Sequence, residues 1–361
     1  MSSSEAARER APLLVTRDEA LLDQLLRLTA AAGVTPEVVP DPGLLRPAWV
    51  GSSLVVVGPD LAVAVAQLAL PRRDQVYVVL TEPDPAVYPV AVDIGVEKVL
   101  VLPQAEPWLR DRLADAADGA RATGRTVCVV GGCGGAGAST FAAGLGAAAA
   151  RAGLQVLLVD GDPLGGGLDL AVGSEDTIGV RWPTLMGTSG RVSAPSLKDA
   201  LPAHGSLAVL SWDRGDLVSV PPTAVSGVVA AGRRGSDLVV VDLPRRLEAS
   251  AQEALLAADI TYLVLPAEVR AVAAAGRLAR ELVRYAALVE VVVRGPGPAG
   301  LDGAQVADSL RLPLAVEMRP DKGAVSDIDL GRGPWSRGRG QLARACRTVL
   351  RQQALVGRAA A

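Results

Sequence analysis

The sequence predicts two α/β domains, each built around a mainly parallel β-sheet. Half of the 361 residues are hydrophobic, which is enough to bury two sheets. Short apolar runs alternate with helix-like segments, and the alternation is interrupted by small and basic residues (GARATGR) at 119–125. We therefore expect one domain at 1–118, a linker at 119–125, and a second domain at 126–361 that ends in a helix.

The first domain shows five strand-like runs separated by amphipathic segments. The strands are expected at 12–16, 35–39, 53–57, 76–80 and 97–102, and the helices near 18–32, 60–69, 85–94 and 105–118. This spacing predicts a doubly wound parallel sheet of five strands, in the flavodoxin-like manner.

The pattern resembles a response-regulator receiver domain, but the residues for phosphoryl chemistry are missing. That family places an acceptor Asp at the end of the third strand and a Lys after the fifth. Here the third strand runs into Gly58-Pro59, with Asp60 beyond it, and Leu102-Pro103 stands where the family has Lys-Pro. Asp18 is either a remnant of the acidic pair or a helix N-cap. We favour a degenerate receiver that docks or dimerises over a phosphorylated switch.

A glycine-rich loop opens the second domain. The strand TVCVV from Thr126 leads into GGCGGAGAST and then into an Ala/Gly-rich helix. Such a turn directs backbone N–H groups at a helix N-terminus, where they suit phosphate oxygens. Residues 126–150 carry no charge and are long enough to span a membrane, but the glycines in the middle indicate a loop instead.

This loop resembles the deviant Walker A motif, KGGxGK[ST][ST], of the MinD/ParA family. Gly134, Gly135, Ala136 and Gly137 match GGxG, while Ser139 and Thr140 match the hydroxyl pair. The signature Lys falls on Cys133 and the phosphate-clamping Lys on Ala138. Both lysines are therefore absent.

Later blocks follow in the family's order. The run LLVDGDP (157–163) resembles the second-strand motif, and DLVVVDLPRR (237–246) resembles the Walker B strand. The resemblance implies a magnesium and switch site of Ser139, Asp160, Asp162 and Asp242. The chain contains no asparagine, and VVVRGP places Arg294 where the family commonly has the Asn that reads the adenine.

Within this family, the DLPRR wording and the segment from Trp182 to Trp212 resemble the CpaE/TadZ pilus-positioning proteins and the septum site-determining proteins. Those proteins also carry a degenerate receiver-like domain before the P-loop domain. The resemblance implies a spatial regulator of septum placement or of Tad/Flp pilus assembly. Such a protein would be cytoplasmic or peripheral at the inner face of the membrane, acting on protein partners of the division or pilus machinery.

The two missing lysines affect the expected rate of ATP hydrolysis. In the family they supply charge where the transition state spreads negative charge over the terminal phosphoryl group. We expect ATP hydrolysis to be slight or nil, and we assign no catalytic residue. Three alternatives stay open: ATP or ADP with magnesium binds without turnover, no nucleotide binds, or an arginine such as Arg245 or Arg246 restores activity.

The amino-acid composition argues against several classes of function. A net charge of −3 and 3% aromatic residues argue against specific nucleic-acid binding. One His and three unpaired Cys argue against a structural metal site or a His-based triad.

Segment 337–356 predicts a basic amphipathic helix that either packs on the sheet, which we favour, or attaches to membrane. The resemblance implies a homodimer, but the family's face-to-face geometry relies on the missing signature Lys, so a dimer of this chain would use other contacts.

Overall fold

The computed structural model describes residues 11–117, 124–186, 192–215, 219–334 and 338–355. The chain divides into two compact units, the first ending at residue 121 and the second beginning at 122. Most of the predicted linker lies outside the described residues. Its last residue, Arg125, already begins a strand.

The first unit is a five-stranded, all-parallel sheet in the order β2-β1-β3-β4-β5, which confirms the predicted doubly wound fold. Its strands are β1 (Leu13–Val15), β2 (Glu37–Val38), β3 (Val55–Val57), β4 (Val76–Leu80) and β5 (Lys98–Val101). Its helices are α1 (Glu19–Ala31), α2 (Leu45–Gly51), α3 (Pro59–Gln67), α4 (Val87–Ile94) and α5 (Glu106–Ala117).

Helices cover both faces of this sheet. Leu13 and Val15 belong to one hydrophobic cluster and Leu14 to the other, so successive residues of β1 are buried on opposite sides. Burial on both faces explains why the strands are continuous apolar runs rather than alternating ones. Helix α2 was not predicted, because Pro47 and the turn residues before it indicate a loop.

Both carboxylates considered for receiver chemistry serve local structure. Asp18 caps α1 by accepting hydrogen bonds from the backbone N–H groups of Ala20 at 2.9 Å and Leu21 at 3.1 Å. Asp60 accepts from the Thr16 hydroxyl and from the Arg17 N–H, each at 2.7 Å. The N-cap alternative for Asp18 is thus the one the structure shows.

The second unit is an eight-stranded sheet in the order β13-β12-β11-β6-β10-β7-β9-β8, in which only the β8–β9 pair is antiparallel. Its strands are β6 (Arg125–Gly131), β7 (Val156–Asp160), β8 (Ala203–His204), β9 (Leu207–Leu210), β10 (Leu238–Leu243), β11 (Ile260–Pro266), β12 (Val289–Arg294) and β13 (Leu314–Met318). Its helices are α6 (Ala138–Arg151), α7 (Leu168–Val172), α8 (Trp182–Leu185), α9 (Ala194–Ala200), α10 (Pro222–Gly235), α11 (Ala249–Ala257), α12 (Val269–Leu282), α13 (Gly303–Leu310), α14 (Lys322–Asp329) and α15 (Gln341–Gln352).

The C-terminal helix α15 packs against α6. Its apolar residues are buried there, and Leu342 lies so close to Gly144 of α6 that a Cβ at that position would approach it to 3.0 Å. The apolar face is therefore used inside the second unit. Across the described residues, none of the helices has both the length and the apolar character needed to cross a bilayer.

Candidate nucleotide site

The glycine-rich loop joins β6 to α6 in the middle of the second sheet. Gly135 and Gly137 have φ values of +68° and +87°, a region that glycine adopts without strain, and Gly137 is the N-cap of α6. A Cβ added at Gly134 or Gly135 would meet no atom within 4 Å. The backbone of the loop therefore faces open space, as a phosphate-binding loop must.

A cleft of about 220 Å³ lies beside the first turn of α6. It is lined by Ser139 and Thr140 from α6, by Asp160 from the end of β7 and by Asp242 from β10, together with loop residues 165–168. Asp160 and Asp242 are only 2% and 3% exposed. None of the residues lining this cleft, as far as the chain is described, is a lysine or an arginine.

Asp162 lies next to this group, since its backbone N–H donates to Asp160 Oδ1 at 3.2 Å, but it does not line the cleft. It is half-buried, accepts a hydrogen bond from the Leu164 N–H at 3.0 Å, and lines a different cavity. Within the described ranges, no cluster of three His, Cys, Asp or Glu residues could hold a metal ion by itself. Of the four predicted magnesium and switch residues, the structure brings together Ser139, Asp160 and Asp242.

Burial raises the pKa values of both carboxyls in the cleft. Desolvation raises the pKa of Asp160 to about 6, opposed by hydrogen bonds from the Leu168 N–H and the Ser211 hydroxyl. Desolvation raises the pKa of Asp242 to about 8, and the charges of Asp160 and Asp162 add to it, while a hydrogen bond with Ser139 opposes it. Near neutral pH, Asp242 therefore retains a proton unless a cation is bound.

This burial predicts a pH dependence of stability. The pKa of Asp242 is about 8 in the folded state, against about 3.9 for an unfolded Asp. The folded state therefore binds more protons between these values, so the free energy of unfolding decreases as pH rises toward 8. We expect Asp242→Asn to melt at a higher temperature than the wild type at pH 8 and to show a shallower decline from pH 5 to pH 8, measured by circular dichroism.

Asp308→Asn, at an exposed carboxylate of α13, provides the control and should keep the wild-type slope. An unchanged slope in Asp242→Asn would contradict the assignment. Some slope should remain in that variant, because the pKa of Asp160 is also raised.

Two tryptophans hold the Asp160 backbone, a role that the sequence did not reveal. The indole N–H groups of Trp182 and Trp212 donate to the Asp160 carbonyl oxygen at 2.6 Å and 3.1 Å. Trp182 is 1% exposed, and the two rings lie 6.0 Å apart. In the sequence these tryptophans contributed only to the family resemblance. Tryptophan is rare in this chain, with five in total, and that rarity could have marked the pair as structurally important.

A buried carboxylate near the cleft is paired with arginines, one of which is half exposed. Asp169, which is 1% exposed, accepts a bidentate interaction from Arg214, with Nη1–Oδ2 at 2.8 Å and Nη2–Oδ1 at 3.1 Å. Arg181 Nε lies 3.6 Å from the same carboxylate. No local pattern marks these residues, because Asp169 and Arg214 are 45 positions apart in the chain.

The remaining arginines occupy different places. Arg294, at the end of β12, donates from Nη2 to the Gly135 carbonyl oxygen at 3.0 Å, so its side chain reaches the glycine-rich loop. Arg245 is exposed, and Arg246 is 89% exposed and pairs with Glu248 at 3.3 Å. Neither of these last two lines the cleft.

The residues present fit a magnesium nucleotide. The loop backbone is open, and the hydroxyl of Ser139 and the carboxylates of Asp160 and Asp242 are hard oxygen ligands of the kind magnesium takes. When bound, magnesium would neutralise charge on the phosphates. Ser139 and Asp242 would hold it, directly or through water.

Fold and site together define a P-loop protein of the MinD/ParA type preceded by a CheY-like domain. Residues 127–294 match the CobQ/CobB/MinD/ParA nucleotide binding domain, and residues 15–124 match the Rv3660c-like, CheY-like N-terminal domain. The chain is 43% identical over 341 residues to the uncharacterized protein Rv3660c of Mycobacterium tuberculosis, covering 92% of this chain and 95% of that protein. The chain therefore belongs to the MinD/ParA superfamily, in the Rv3660c-like branch that carries a CheY-like domain.

Two further likenesses accompany this one. A protein of Nephroselmis olivacea named as a septum site-determining MinD is 27% identical over 155 residues, which are 43% of this chain and 57% of that protein. The structure of the cell division ATPase MinD of Pyrococcus furiosus has a TM-score of 0.54 and 21% identity, covering 64% of this chain and 98% of that one. The predicted superfamily and fold are confirmed.

Proposed function

We propose that this chain is a spatial regulator of the MinD/ParA kind that binds a magnesium nucleotide but turns it over slightly or not at all. The observation that carries this proposal is the cleft beside α6, which keeps Ser139, Asp160 and Asp242 yet is lined by no lysine or arginine in the described part of the chain. Among the described residues, this cleft keeps groups that can bind magnesium and lacks a basic side chain to offset the charge that develops in phosphoryl transfer.

Calorimetric titration with magnesium and ATP tests the binding half of this proposal. Saturable heat at one site per chain supports a nucleotide-binding regulator. The absence of binding at millimolar nucleotide would instead favour a structural adaptor that uses the fold alone.

The cellular role we propose is the placement of the division septum or of a Tad/Flp pilus, through protein partners at the pole or mid-cell. The name of the Nephroselmis olivacea relative supports the septum, whereas the receiver-like domain supports either role. A fluorescently tagged chain at mid-cell would favour the septum, and one at the pole would favour the pilus. We also propose a homodimer, to be tested by light scattering after size exclusion.

Peripheral membrane contact through α15 is better tested by removing the positive charges of the helix than by deleting the helix. Truncation would expose the surface that Leu342, Cys346 and Val349 cover, because all three are buried. We expect the full chain not to co-sediment with anionic liposomes, since the apolar face is already used in packing. Binding that is abolished by replacing Arg344, Arg347 and Arg351 with Gln would contradict this expectation.

A further inference from the structure

The carboxylate of Asp160 is held by three hydrogen bonds from its surroundings. Oδ2 accepts from the Leu168 N–H and from the Ser211 hydroxyl, each at 2.8 Å, while Oδ1 accepts from the Asp162 N–H at 3.2 Å. An ionised carboxylate can accept about four hydrogen bonds, roughly two at each oxygen. The remaining capacity therefore lies at Oδ1, which is the oxygen left to bind a cation or its water in the cleft.

Of these three donors, Ser211 is the one that donates through its side chain. It follows β9 directly, is completely buried, and is 51 positions from Asp160 in the chain. Asp162 and Leu168 donate through backbone N–H groups of the segment that follows Asp160. The Ser211 hydroxyl therefore ties the carboxylate to the second sheet independently of that segment.

The Ser211 hydroxyl lies between two carboxylates, of which Asp160 is the nearer. Its Oγ is 3.3 Å from Asp169 Oδ1, against 2.8 Å from Asp160 Oδ2. Asp169 is already supplied with donors, because Arg214 binds both of its oxygens and the Leu170 N–H donates to Oδ1 at 2.9 Å. A hydroxyl has one proton to donate, so the pairing of Asp169 with arginine leaves that proton for Asp160.

We propose that Ser211 is a positioning residue for magnesium, because it orients the Asp160 carboxylate so that Oδ1 is presented to the cation or to a water bound to it. This inference rests on the proposed binding of a magnesium nucleotide and adds a residue to that site. Ser211 does not line the cleft, so it acts only through Asp160. Replacing a group that hydrogen-bonds to a metal-binding side chain typically lowers metal affinity by about 10- to 100-fold.

Calorimetry with ADP on the full chain, once in magnesium and once in EDTA, tests this proposal. We expect Ser211→Ala to weaken ADP binding about 10-fold in magnesium and to leave binding in EDTA unchanged. Ser211→Cys should give a similar loss at nearly the same side-chain size, because a thiol is a weak donor. Ser211→Thr keeps the hydroxyl and should bind magnesium ADP more tightly than either of these variants.

The control is Ser174→Ala, at a second buried serine whose hydroxyl donates to the Asp169 backbone carbonyl and not to Asp160. It should keep the wild-type affinity in both conditions, and thermal unfolding shows whether each variant is folded. Wild-type affinity for magnesium ADP in a folded Ser211→Ala or Ser211→Cys overturns the proposal. Equal losses in magnesium and in EDTA also overturn it, because Ser211 would then support the loop rather than the cation. If the wild type binds neither ADP nor ATP in magnesium, the proposed function fails as well.

Discussion

We expect the purified chain to release phosphate from magnesium ATP at a rate indistinguishable from the background without protein. Cys133 and Ala138 occupy the two lysine positions of the motif, and no basic residue lines the cleft among the described residues. Loss of one well-placed transition-state donor costs about 10²–10³ in rate. Loss of both should suppress turnover further, although two such effects rarely add in full. A steady-state phosphate-release assay measures this directly.

Restoring one lysine should reverse part of the deficit. Ala138 is the first residue of α6 and precedes Ser139, so Ala138→Lys places an ammonium group at the entrance of the cleft. A charge-assisted hydrogen bond contributes about 1.5–3 kcal/mol, so we expect ATP to bind roughly 10- to 100-fold more tightly. We also expect turnover to rise above background, while the signature position at Cys133 remains unfilled.

Ala152→Lys, at the exposed C-terminal end of the same helix, is the matched control because it adds the same charge away from the site. It should leave affinity and rate at wild-type values. A wild-type rate of phosphate release comparable with that of an ordinary MinD-like ATPase would contradict the proposal that the missing lysines prevent ATP hydrolysis. An equal gain from both variants would show that net charge, not position, is responsible.

The sequence pointed to Asp160 and Asp242 because each lies in a short motif that resembles one of the family's. Each lies at or next to the carboxyl end of its strand, and the carboxyl ends of parallel strands meet along one edge of a sheet. The glycine-rich loop was predictable for a similar reason, since a strand, a cluster of glycines and a helix follow one another directly. The sequence therefore predicts those site residues that lie at the ends of strands and helices that follow one another in the chain.

Contacts between distant segments could not be predicted. Arg294 reaches Gly135 across 159 positions, and Asp169 meets Arg214 across 45. These pairings depend on strand order and on side-chain direction, which a single sequence does not display. Side-chain direction matters at short range too: Asp162 donates its backbone N–H to Asp160 Oδ1, while its own carboxylate accepts a hydrogen bond from the Leu164 N–H.

Trp182→Ala should cause the largest loss of stability among single substitutions at this site. The indole is 1% exposed, packs in the main hydrophobic cluster of the second unit, and donates to the Asp160 carbonyl at 2.6 Å. Truncating a buried tryptophan to alanine costs about 3–5 kcal/mol. For a unit of this size, that corresponds to a fall in Tm of roughly 10 °C.

Trp182→Phe is the milder comparison for Trp182→Ala. This variant loses the N–H and part of the ring, so its cost should exceed that of a lost hydrogen bond, about 0.5–1.5 kcal/mol, but stay below that of Trp182→Ala. Trp212 still donates to the same Asp160 carbonyl at 3.1 Å in that variant. Trp212→Phe, at a half-buried ring, should be milder still.

Near-ultraviolet circular dichroism during heating reports these transitions. A Trp182→Ala variant that melts within about 3 °C of the wild type, the shift expected for only about 1 kcal/mol, would show that this ring does not support the second unit. If the loss is as large as expected, the indole secures the end of β7. It then holds Asp160 in the cleft by constraining the backbone from which its carboxylate projects.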